Sequence, residues 1–77
     1  MKMDNNIYKT SDLPLAAYLG MKGLTLVKAT KGEDGRFEFE LNDPEDVADI
    51  LAVEYLNSDC SKFDYHVRRI KKFLYSK

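Results

Sequence analysis

A small two-layer α+β domain in the order (β)αββαα, a β-hairpin covered by helices, is what this 77-residue sequence predicts. Three observations carry that expectation. Phe37, Phe39 and Leu41 alternate with Arg36, Glu38 and Glu40 directly after Gly32-Glu33-Asp34-Gly35, the period-two pattern of a strand leaving a hairpin turn. Asn42-Asp43-Pro44-Glu45-Asp46 supplies a capping acid and a proline for the first turn of a helix. Phe63, Val67, Ile70 and Leu74 recur at helical spacing near the end of the chain. A lone hairpin is marginal in water, so its apolar face needs the helices as cover.

In chain order, residues 1–6 are expected to be a flexible terminus and residues 7–77 one domain. Ile7 to Thr10 has strand composition and is a candidate edge strand. Thr10 or Ser11 is the expected N-cap of a first helix, with Asp12 in its first turn and Pro14 tolerated there because its missing N–H has no partner to lose. That helix runs to about Met21 and stops at Gly23. Leu13, Ala16, Ala17 and Gly20 form a small-residue face suited to close approach. Leu24 to Lys31 alternates loosely, with Thr25, Val27 and Ala29 on one side and Leu24, Leu26 and Lys28 on the other. The strand from Arg36 to Leu41 is expected to turn Phe37, Phe39 and Leu41 inward. The second helix is expected from an Asp43 N-cap to about Asn57, with Val47, Ile50, Leu51 and Tyr55 as its core stripe. Val53 and Leu56 fall outside that stripe and are expected to be covered by another chain or by the last helix. A loop over residues 57–61 leads into the last helix, about Ser61 to Tyr75, expected to pack by its Phe63, Val67, Ile70 and Leu74 stripe.

Composition narrows the function. A single cysteine, Cys60, forms no internal disulfide, and a secreted domain of this size usually carries several. Met1 to Asn6 is polar, and no apolar run approaches the ~20 residues of a membrane span. A cytoplasmic protein without membrane contact is expected. Catalysis has little to work with. The only histidine, His66, has Cys60 six residues before it, a pairing for which structural roles are the ordinary explanation. Asp43, Glu45, Asp46 and Asp49 are dense enough to invite a hard cation. They lack the alternate-position spacing and glycine of a calcium loop, and helix capping accounts for them. No glycine-rich phosphate motif is present. Neither metal nor small-molecule cofactor is expected, and no enzyme.

The net charge of −1 hides a division. Residues 1–61 carry six Lys/Arg against twelve Asp/Glu, whereas residues 62–77 carry six Lys/Arg against Asp64 alone. On the last helix, Tyr65, Arg68, Lys72 and Tyr75 fall opposite the apolar stripe, flanked by Arg69 and Ser76 on one side and Lys71 on the other. Cations interleaved with tyrosines serve phosphates and bases, or an acidic protein surface. The plain alternative is a solvated outer face paired with the acids of the second helix. The acidic remainder of the chain opposes non-specific nucleic-acid binding.

Tyr8-Lys9-Thr10-Ser11-Asp12-Leu13, then Leu15-Ala16-Ala17-Tyr18-Leu19 and Lys22-Gly23, resembles the opening of a family of small uncharacterised domains from bacterial, phage and other viral genomes. Phe37-Glu38-Phe39 and Phe73-Leu74-Tyr75-Ser76 are similar to later stretches of that family. The resemblance implies a phage or mobile-element accessory protein and carries no site residues. Two functions therefore compete. The first is a non-enzymatic protein–protein interaction module, self-association into a homodimer included, with Val53 and Leu56 as self-contact candidates. The second is a nucleic-acid-binding accessory protein using Tyr65, Arg68, Arg69, Lys72 and Tyr75.

Overall fold

A computed structural model describes residues 6–76 of the chain. It has the expected α+β order: β1 (Ile7–Thr10), α1 (Leu13–Met21), β2 (Thr25–Lys31), β3 (Phe37–Asn42), α2 (Ala48–Leu56) and α3 (Asp59–Tyr75). Residues 1–5, most of the terminus expected to be flexible, lie outside the described residues. Asn6 is tied in, its carbonyl accepting from the Asp43 amide at 2.8 Å.

The three strands form one antiparallel sheet in the order β1-β3-β2. Ile7 to Thr10 thus joins the sheet as an edge. The hairpin turn closes through the Gly32 amide on the Arg36 carbonyl at 2.7 Å and the Asp34 carboxylate accepting from the Arg36 amide at 3.0 Å. Gly35 sits at φ 84°, where a side chain would be strained.

Register decides the faces. Tyr8 and Leu26 stand opposite Leu41, while Thr10 and Ala29 stand opposite Phe39, so these residues share the helix-facing side. A bulge between Leu26 and Lys28 makes Val27 the extra residue and flips the parity of β2. The expected single alternation through β2 is therefore wrong beyond Leu26. Ala29 and Lys31 come onto the inner face, and the Lys31 ammonium lies 6.0 Å from the Phe37 ring centre. On the outer face Lys9 and Lys28 flank Glu40 in register, an arrangement that suits water.

The core is small: Leu15, Ala16, Tyr18 and Leu19 of α1, Leu41 of β3 and Tyr55 of α2, with Tyr8, Leu24, Phe39, Leu51 and Ala52 partly buried against it. The inward direction of β3 is as expected, but cover fades along it. Leu41 is buried, Phe39 half-buried, and Phe37 exposed and stacked 6.3 Å from Phe39. Helix α1 packs by Leu15, Tyr18 and Leu19, and of the expected small-residue face only Ala16 is buried. Leu13, Ala17 and Gly20 are exposed, because the larger side chains hide more apolar surface. Its N-cap is Asp12, whose carboxylate accepts from the Leu15 amide at 3.1 Å, while Thr10 Oγ1 accepts from the Asp12 amide.

Helix α2 starts later than expected. Asp43 to Asp46 is a turn, closed by the Asp46 amide on the Asp43 carbonyl at 3.0 Å, with Asp46 at φ 57°. The N-cap is Val47 rather than the expected Asp43; the Asp43 carboxylate, buried in the preceding turn, accepts from the Val47 and Ala48 amides at 2.9 and 3.0 Å. Pro44 belongs to the turn, and Ile50, expected in the core stripe, is exposed. Helix α3 begins two residues early because Ser58 caps it, its hydroxyl accepting from the Ser61 amide at 3.4 Å.

Candidate interaction surface

Helix α3 is 17 residues long and contains no buried residue. It touches the body through Ser61, Asp64 and Val67, which are half-buried; its other described residues are exposed. Of the apolar stripe expected to seat the helix, Val67 alone meets the body. Phe63 is 73% exposed, Ile70 60% and Leu74 56%. The stripe is displaced around the helix from the docked side, so amphipathicity and packing point in different directions. Phe73, which periodicity left outside the stripe, is exposed and joins Ile70, His66 and Arg69 around a hollow of about 310 Å³.

The basic face divides in two. Arg69 stacks on Tyr65, its guanidinium carbon 5.9 Å from the ring centre, and the Tyr65 ring meets His66 edge-on at 5.3 Å. Arg68, Lys72 and Tyr75 gather with Lys71 and Ser76 around a shallow hollow of about 440 Å³. Arg68 donates from Nε to Asp64 Oδ2 at 2.8 Å, an i,i+4 pair on its own helix. Among the described residues no ion pair joins the acids of α2 to the bases of α3. The acid of α2 that is engaged, Glu54, accepts from the Tyr18 hydroxyl at 2.7 Å and faces Lys22 at 3.5 Å. That hydrogen bond is the main reason the Tyr18 hydroxyl is pushed up to about 12 and the Glu54 carboxyl is held below its ordinary range.

One cation lay beyond the helical-wheel reading. Arg36 joins Lys71 in lining a cleft of about 640 Å³ with Thr10, Ser11 and Arg68, where the β1–α1 junction meets α3. Arg36 lies far from α3 in sequence, so only the fold brings them together. Asp12 and Asp64 in the same cleft offset much of that charge.

Val53 and Leu56 are exposed on α2, so the last helix does not cover them. Cys60 and His66 stand on one helix about 9 Å apart along its axis, too far for a nucleophile and its base. Among the described residues no three His, Cys, Asp or Glu side chains gather to hold a metal, and no helix is long and apolar enough to cross a membrane.

No curated protein and no solved structure matches the chain. A family model described as a domain of unknown function, DUF5659, matches residues 5–76, nearly the whole sequence, and the chain belongs to that family.

Proposed function

We propose that this domain is a non-enzymatic protein-interaction module whose contact element is α3. The observation that carries the reading is the exposure of Phe63, Ile70 and Leu74 on a helix held to the body along an adjacent side, through Ser61, Asp64 and Val67. Leaving three large apolar side chains in water forgoes about 1.5–3 kcal/mol for each that a partner would bury. Solvated helices ordinarily turn such a stripe inward. The opening that resembles phage and bacterial small domains supports an accessory role in a host cytoplasm.

A photo-reactive phenylalanine analogue at Ile70 tests this. Protein adducts should form in cell extract from position 70 and not from Thr30 on the outer sheet face. Leu74→Lys should abolish them. Absence of adducts from position 70 would remove the reading.

Nucleic acid is the second reading, favoured by Arg68, Lys71, Lys72 and Tyr75 around one hollow. Its test is a gel shift across salt concentrations. Changing Arg68 and Lys72 to Ala should lower the salt slope by about two. Binding that is absent at low salt refutes it.

A further inference from the structure

We infer that a single nucleic-acid strand lies between α3 and the β1–α1 junction, in a track that runs from Tyr75 past Lys72, Lys71 and Arg68 to Arg36; this rests on the nucleic-acid reading and uses a side of α3 other than its exposed apolar one. The first support is continuity. The hollow of about 440 Å³ near the end of α3 and the cleft of about 640 Å³ at the β1–α1 junction are both lined by Arg68 and Lys71. Beyond Arg36, a hollow of about 240 Å³ shares Ser11 and Arg36 with that cleft and reaches the exposed ring of Phe37. On α3 alone the lining runs from Asp64 to Tyr75, about 16 Å of helix axis.

The second support is charge. Among the described residues, Arg36, Lys71 and Lys72 have no carboxylate within ion-pair distance. The acids of the cleft are engaged. Asp12 accepts from the Leu15 amide at 3.1 Å, and Asp64 from Arg68 Nε at 2.8 Å. Three cations without partners therefore follow one another along the track. A strand of phosphates supplies anions in the same succession. Arg36 comes from the end of the hairpin turn and the two lysines from α3, so the row is a product of the fold and not of one helix face. Tyr65 and Arg69, stacked at 5.9 Å, line none of the three hollows.

The third support selects a single strand over a duplex. Tyr75 is 82% exposed beside Lys72, and Phe37 stands at the opposite end of the track. An exposed ring stacks on a base only when that base has left its duplex, and such stacking tolerates any sequence. Asp34 and Glu38 line the hollow beside Phe37, so that end offers a ring for a base and no charge for a phosphate.

Fluorescence anisotropy of labelled oligo-dT and oligo-U, each about 12 nucleotides long, tests the inference at about 50 mM salt. At least one of the two strands should bind, and an unlabelled duplex of the same length should compete about tenfold less well. Arg36→Ala should weaken binding about threefold or more with unchanged far-UV circular dichroism. Lys71→Ala should do the same should residue 36 perturb the hairpin. Arg69→Ala removes the same charge from outside the track and should leave affinity within a factor of about 1.5. Tyr75→Ala should weaken binding about fivefold or more, and Tyr75→Phe, which keeps the ring, should bind as wild type does. An Arg69 effect equal to that of Arg36, or a duplex that binds as well as the single strand or without it, overturns the track and leaves the nucleic-acid reading standing. A protein that binds neither strand nor duplex at this salt ends both.

Discussion

Strand β3 offers a graded test, because three apolar side chains on one face leave the core by steps. Leu41 is 1% exposed, Phe39 is half-buried and Phe37 is 47% exposed. Leu41→Ala removes three buried carbons, about 2.4 kcal/mol of transfer free energy, and leaves a cavity beside Leu19 that the small core cannot fully close. A total near 3–4 kcal/mol follows. Phe39 packs against the same core from its margin, so Phe39→Ala should cost about 2–3 kcal/mol, below the usual loss for a fully buried ring. Phe37 keeps about half its surface in water, and its truncation should cost no more than about 1 kcal/mol. A chain of this size has roughly 4–12 kcal/mol in all, so the Leu41 variant should be close to unfolding without denaturant. Urea titration followed by far-UV circular dichroism, at one low protein concentration, reads the series. With a slope near 1 kcal/mol/M, midpoints should fall by about 3 M, 2 M and 1 M in turn. Equal shifts for Phe37 and Leu41 would refute the gradient and mean that something covers the distal end of the sheet.

Asp43→Ala should cost about 1–2 kcal/mol, since it strips the Val47 and Ala48 amides of their acceptors, and Asp43→Asn should recover part of that in the same titration. Stability should fall as pH rises from about 10 to 12. The Tyr18 hydroxyl is raised by its hydrogen bond to Glu54, so its contribution is complete below the unfolded value and lost through the folded one. Tyr18→Phe should flatten that decline in melts recorded across the range. Glu54, held low mainly by the same bond, adds stability that is present above about 4.5 and lost as pH falls through its depressed value. Glu54→Gln should therefore reduce the acid sensitivity of the melt. The double change Val53→Glu with Leu56→Lys should leave the melting temperature within a few degrees of wild type, both residues being exposed; unfolding would place them in the core.

Local rules wrote much of this fold into the sequence. The Gly32-to-Gly35 turn and the alternation after it produce the hairpin, because backbone conformation at glycine and the pleat of a strand are set by neighbouring residues. The same holds for the existence of α3, whose period is a property of one helix. What tertiary structure decided is everything that depends on a distant partner. The bulge at Val27 has no glycine or proline to announce it and arises from matching β2 to β3. The packing face of α1 went to Leu15, Tyr18 and Leu19 because the sheet and α2 received bulk rather than a close approach. Most of all, periodicity located the apolar stripe of α3 but was silent on what it meets. A stripe reports that burial would be favourable, and only the position of the helix on the body shows that this chain leaves it in water.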